Sequence, residues 1–213
     1  MREAIIFDMD GTLFQTNLIL EPALEATFDV LREENLWDRE TPTEQYRKVM
    51  GVPLPIVWET LCPNHSLEIR EKSNEMFQQK LIELIQAKRG ALYDDVESTL
   101  MELSKKYPLF VASNGQTDYL EAIVKTYHLD RFIQHTYSIQ QVNSGHKSDL
   151  VQVVIRENQI EKGYVVGDRS SDIAAAKDNG LIAVGVNFDF AQENELIQAD
   201  FVVNHFKEIL KLV

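Results

Sequence analysis

The feature that most restricts the fold is a series of short apolar runs that follow helix-like stretches. They are EAIIFD (3–8), LFVAS (109–113), YVVGD (164–168), IAVGV (182–186) and FVV (201–203). Near-continuous apolar strands are those buried on both faces, as in a parallel sheet covered by helices. The segments 94–107, 116–129 and 147–158 between them are amphipathic. This alternation predicts an α/β chain with a doubly wound parallel sheet. It breaks once. Between Gln15 and about Arg89 no strand pattern occurs, and helices are expected at 21–34, 43–50, 53–61 and 66–87, with Pro42, Gly51, Pro53 and Pro63 at the joints. The expected organisation is therefore a core formed by 1–14 and 90–213, with an all-helical insertion at 15–89. FQTN and AKRGA are the expected hinges.

Charge narrows the choice of partner. The formal net charge of −13 argues against nucleic acid and anionic membranes, which call for a basic surface. It leaves room for a small phosphorylated molecule, because a local cation can dominate the field inside a cleft. No apolar segment approaches the ~20 residues of a membrane span, and the start of the chain turns acidic too soon for a signal peptide. A cytoplasmic protein, monomeric or weakly dimeric, is expected. Cys62 is the only cysteine and has no cationic neighbours in sequence, so it reads as structural. The five histidines are scattered without ligand spacing.

In open α/β sheets, ligands sit beyond the carboxyl ends of the strands. The first apolar run ends in Asp8-Met9-Asp10-Gly11-Thr12, the second in Ser113-Asn114-Gly115, and the YVVG run in Asp168-Arg169-Ser170-Ser171-Asp172. Lys147 stands where a further helix begins. On an extended strand Asp8 and Asp10 would face the same way, and their repulsion calls for a positive charge nearby. Carboxylates without clustered histidine or cysteine select a hard cation such as Mg2+. A lysine, a hydroxyl and loop N–H groups make an anion site. Together these point to phosphoryl transfer. A dinucleotide site is excluded, since no G-x-G-x-x-G turn follows the first strand.

DMDGTLFQT, VASNG, Lys147 and GDRSSD resemble, in order, the four motifs of the haloacid dehalogenase superfamily of phosphohydrolases. The resemblance implies a Rossmann-like core with a helical cap. It further implies that Asp8 attacks phosphorus to form an aspartyl-phosphate, and that Asp10 protonates the leaving oxygen and then deprotonates water. Mg2+ would be held by Asp8, the Asp10 carbonyl and Asp168, with Asp172 either ligating it directly or reaching a metal-bound water. Lys147 would offset charge, Ser113, Asn114 and Gly115 would hold phosphate oxygens, and Thr12 would steady the loop at the phosphate. The cap would set specificity, with Phe14, Asn17, Arg47 and Gly51 as candidate contacts. Phosphoglycolate, sugar phosphates and nucleoside monophosphates are the substrates suggested. The rivals are a phosphomutase of the β-phosphoglucomutase type and a non-catalytic sensor that keeps the metal–phosphate site.

The chain departs from the family pattern at two positions. Ser148 stands where the family often has proline after the lysine, which brings Lys125 and Lys162 into consideration for that role. Arg169 follows Asp168 directly, where it reads as a partner of Asp172 or a solvated side chain.

Overall fold

The structure, a computed structural model, describes residues 2–49, 52, 54–189, 191 and 193–213. The candidate contact Gly51 lies outside them. The chain forms two compact units, Met1–Gln15 with Ala91–Val213, and Thr16–Gly90.

The first unit is built on six parallel strands: β1 (Glu3–Phe7), β2 (Leu109–Ser113), β3 (Ile133–Ser138), β4 (Lys162–Gly167), β5 (Ile182–Val186) and β6 (Phe201–Val203). Their order is β3-β2-β1-β4-β5-β6. The chain therefore winds outward from β1 in one direction through β2 and β3, then returns to β4 and winds the other way. The reversal falls between β1 and β4, which pair in register from Glu3↔Lys162 to Phe7↔Val166. That is the switch point at which doubly wound sheets leave a crevice. Ile5, Phe7, Phe110, Val111, Val166 and Val184 are almost wholly enclosed. Such burial on both sides is what their uninterrupted apolar runs require.

Strand β3 has no counterpart among the apolar runs. Its sequence IQHTYS exposes Gln134 and His135 and buries Ile133, Tyr137 and Ser138, the mixed pattern of an edge strand. The helix expected over 116–129 is shorter, because His128 adopts φ +55° and the chain tightens into a single 3-10 turn at Leu129–Arg131. The other helices of this unit that bear on the site are α6 (Thr117–Thr126), α7 (Lys147–Asn158) and α8 (Ser170–Asp178).

The second unit holds α1 (Asn17–Glu33), α2 (Thr43–Lys48), α3 (Leu54–Leu61) and α4 (Leu67–Gln86). Helix α1 starts a turn earlier than expected and carries Pro22 inside it. Its first turn is closed by Ile19 and Leu20 N–H groups donating to the Thr16 carbonyl, and Leu20, Leu24, Phe28 and Leu31 line its buried face. The core of the unit is aromatic. Phe28 lies 4.8 Å from Trp37 and 6.2 Å from Trp58, and Phe77 lies 5.8 Å from Trp58 and 5.4 Å from Tyr46, all centroid to centroid. The Trp58 indole N–H finds the Asn74 side-chain oxygen at 2.9 Å, so the ring is buried without an unsatisfied donor. Among the described residues no helix is long and apolar enough to cross a membrane.

Candidate active site

Strand β1 ends at Phe7, and Asp8 extends its ladder by donating its N–H to the Val166 carbonyl at 2.8 Å. Asp8 thus sits at the mouth of the crevice between β1 and β4. Asp168 leaves β4 one residue beyond Gly167, and Asp172 lies in the first turn of α8. Carboxylate oxygens of Asp8, Asp168 and Asp172 come within 4.8 Å of one another, and all three residues are buried.

Two glycines make that convergence sterically possible. Gly11 has φ +75°, and a Cβ there would lie 2.5 Å from the Asp168 Oδ2. A Cβ on Gly167 would lie 2.1 Å from the Asp172 Cγ. After β1 the chain curls over Met9, whose carbonyl accepts from the N–H groups of Leu13 and Phe14, both at 2.9 Å. This turn delivers the Thr12 hydroxyl to Asp168 Oδ1 at 3.0 Å. Thr12 is fully enclosed, and its hydroxyl braces Asp168.

Lys147, the first residue of α7, is the cation within the cluster. Its Nζ stands 2.6 Å from Asp8 Oδ1 and also pairs with Asp172 Oδ1, and its side chain is only 4% exposed. Burial works against this ammonium, but Asp172 and Asp8 outweigh it and hold its pKa above the ordinary lysine value. Burial pushes Asp8 up to about 7, eased by Lys147 and reinforced by Asp172 and Asp10. Asp168 is raised well above the carboxylate range, by burial first and then by Asp8 and Asp172. Ser148 fixes the start of α7 by a different route from a proline: its hydroxyl donates to Asp178 at 2.6 Å, and its carbonyl accepts from Asn179 at 2.9 Å. The alternative lysines are committed elsewhere on exposed surface, Lys125 to Glu121 and Lys162 to Glu3. Arg169 pairs with Glu195 at 3.2 Å, while its backbone N–H donates to Asp172 at 3.0 Å.

Ser113 ends β2, the neighbour of β1, so it stands on the same sheet edge as Asp8. Its hydroxyl oxygen accepts from the Gly115 N–H at 3.1 Å, which folds Ser113-Asn114-Gly115 into a tight loop. Ser138, at the end of β3, braces that loop by donating to the Gly115 carbonyl at 2.7 Å. Asp10 departs from the simple strand picture. Its carboxylate is not in the triad with Asp8, and its Oδ1 accepts a hydrogen bond from the Tyr119 hydroxyl at 2.5 Å. Nothing in the sequence singled out Tyr119, which reads as an apolar position of an amphipathic helix.

The expected specificity residues fare differently. Phe14 is wholly enclosed and packs 5.5 Å from the Tyr127 ring. Asn17 opens α1, and Arg47 forms an ion pair with Glu21.

The triad fits a divalent cation. Three carboxylates face one ammonium, so two negative charges stay unbalanced when all are ionised. Every donor is a hard oxygen, which suits Mg2+ rather than a thiolate- or imidazole-seeking metal.

Residues 5–186 match the haloacid dehalogenase-like hydrolase family. The chain belongs to that family. The pyrophosphatase PpaX of Listeria monocytogenes serotype 4a is 27% identical over 217 residues, covering 98% of this chain and 95% of that protein. A phosphorylated carbohydrates phosphatase of Thermotoga maritima is 27% identical over 226 residues, covering 98% of this chain and 100% of its own length. Among solved structures, a predicted phosphoglycolate phosphatase from Haemophilus somnus superposes with a TM-score of 0.84 at 20% identity, covering 99% of this chain and 97% of that one. That last likeness establishes the fold. With the family and the strand-end carboxylates, these relatives make the chain a hydrolase of the phosphatase kind.

Proposed function

We propose that the chain is a Mg2+-dependent phosphatase that hydrolyses small phosphomonoesters through an aspartyl-phosphate on Asp8. The observation that carries this reading is Asp8 itself: a buried carboxylate at the sheet's switch point, 2.6 Å from the Lys147 ammonium and grouped with two further acids. A carboxylate so placed has positive charge beside it to draw in a phosphate, and water is largely kept out.

In the first half-reaction an Asp8 oxygen attacks phosphorus, the P–O ester bond breaks, and Asp10 gives its proton to the departing oxygen. In the second, water attacks the acyl phosphate, Asp10 takes a proton from it, and phosphate leaves with Asp8 restored. Lys147 offsets the charge gathering on Asp8 and the phosphoryl oxygens, and the Ser113 hydroxyl with the Asn114 N–H holds the remaining oxygens, on the loop that the Gly115 N–H closes by donating to Ser113. Asp8, Asp168 and Asp172 would hold the Mg2+, which supplies further neutralisation of the phosphoryl group when bound.

The test is phosphate release from a panel of sugar phosphates, phosphoglycolate, nucleoside monophosphates and inorganic pyrophosphate, with and without Mg2+, on wild type and Asp8→Asn. Mg2+-dependent release that is lost in Asp8→Asn supports the mechanism, and release unaffected by that substitution refutes it. Pyrophosphate belongs in the panel because the PpaX relatives are named for it. Turnover of pyrophosphate alone would move the substrate from an ester to an anhydride while keeping the same residues at work.

A further inference from the structure

We propose that Tyr119 is the positioning residue for the acid–base carboxylate Asp10, an inference that rests on the phosphatase reading above. Asp8 and Asp10 are two residues apart, yet only Asp8 joins Asp168 and Asp172 in the triad. The Tyr119 phenol meets Asp10, its hydroxyl donating to Asp10 Oδ1 at 2.5 Å. The hydrogen bond holds one oxygen of the carboxyl group whether or not the group carries a proton, and so fixes its orientation. It gives the carboxylate a fixed partner away from the divalent-ion site, where a further acid would add a like charge and lose its freedom to exchange a proton.

The tyrosine is itself held. It lies in the first turn of α6, 4% exposed. Its ring packs against the phosphate loop closely enough that a Cβ on Gly115 would lie 3.1 Å from Tyr119 Cδ1 and 2.9 Å from Leu120 Cδ2. Gly115 is in turn tied to Ser113 and Ser138. One rigid assembly therefore carries both the loop proposed to hold phosphate oxygens and the hydroxyl that orients the acid. A 1 Å error in such a group costs heavily in rate, which gives the brace its purpose.

The experiment compares kcat/KM for an alkyl phosphate with that for 2,4-dinitrophenyl phosphate, in wild type, Tyr119→Phe, Asp10→Asn and the double variant, all with Mg2+. An alkoxide must be protonated as it leaves, whereas dinitrophenolate leaves unaided. Tyr119→Phe keeps the ring, and its melting temperature reports that the fold is intact. The expected result is a loss of about 10–100-fold on the alkyl ester and less than about 3-fold on the aryl ester, with KM little changed. Asp10→Asn should show the same selectivity more strongly, and the double variant should be no worse than Asp10→Asn alone. Equal losses on both esters would mark Tyr119 as merely structural and overturn the proposal. So would full activity of Tyr119→Phe alongside a selective Asp10→Asn. If Asp10→Asn itself treats the two esters alike, the acid–base reading of Asp10 falls, and this proposal falls with it.

Discussion

The two units bury different things. The helical unit encloses Phe28, Trp58 and Phe77 along with Thr27 and Ser73, and among the described residues every buried charge lies in the other unit. There Asp8, Asp168, Asp172 and Lys147 are each 6% exposed or less. Apolar burial stabilises in proportion to area, at roughly 25 cal/mol per Å2. Charge burial costs several kcal/mol per ion before pairing recovers part of it. The contrast lies in what burial does: in the helical unit a well-packed ring serves the fold, whereas at the strand ends the fold buries charges whose desolvation must be offset by pairing.

Asp8→Asn should show the largest effect. Turnover of any phosphomonoester is expected to fall by at least about 10^4-fold, since the proposed nucleophile is gone. The same substitution should raise the melting temperature of the metal-free protein at pH 8. It removes a buried charge that Asp172 and Asp10 repel, while Lys147 keeps Asp172 as a partner. A gain on the order of 1 kcal/mol, or about 2–4 °C, is expected. A fall of several degrees would show that the pair with Lys147 outweighs the cost of burying Asp8, and would erase the contrast. Phe77→Ala tests the other unit. Its ring packs against Trp58 and Tyr46 with no exposure, so removal should cost about 3–5 kcal/mol by urea denaturation. A cost below about 1 kcal/mol would mean that the aromatic cluster collapses to fill the gap.

How far the sequence disclosed all this follows the same division. Double burial writes itself into a sequence as an apolar run, which is why β1, β2, β4, β5 and β6 could be read and the half-exposed edge strand β3 could not. The strand-end acids were legible because topology places them: once a parallel sheet is inferred, Asp8, Ser113 and Asp168 must share its carboxyl edge. Contacts made across long stretches of chain left no such trace. The Thr12 hydroxyl reaches Asp168 from 156 residues away because Gly11 turns left-handed, and Tyr119 reaches Asp10 across 109. A buried phenol on an amphipathic helix looks like core until its hydroxyl is located. Phe14 was singled out for its nearness to the DMDGT loop in sequence, and its side chain lies in the interior.

A titration sharpens the comparison further. Asp8 has a folded pKa of about 7 against 3.8 unfolded, so between those values the native state holds a proton that the unfolded chain has released. Stability of the metal-free protein should therefore fall as pH rises from about 4 to about 7, the reverse of an ordinary salt-bridged aspartate. A cation at the triad competes with that proton, so the rise in melting temperature produced by Mg2+ should be larger at pH 8 than at pH 6. Thermal scans with and without Mg2+ at three pH values measure this. A Mg2+ shift independent of pH would mean that Asp8 is not among the groups the ion engages.

The smallest effect isolates environment from chemistry. Lys147–Asp172 and Lys177–Asp200 are both close ammonium–carboxylate pairs, but the side chains of the first are 4% and 0% exposed and those of the second 41% and 37%. The hydrogen bond from Lys177, with the Ala183 N–H, holds Asp200 below the usual carboxylate range, so the pair's contribution is present at neutral pH and lost as pH falls through that lowered value. Water and salt screen it throughout. Lys177→Met should therefore cost no more than about 1 kcal/mol at pH 7, and less in high salt. Lys147→Met leaves Asp8, Asp168 and Asp172 buried without their ammonium, and at pH 8 should cost several times as much by the same denaturation measurement. Equal costs for the two lysines would mean that the strand-end cluster is as well hydrated as the surface, and that the acids there are not held against the fold's own preference.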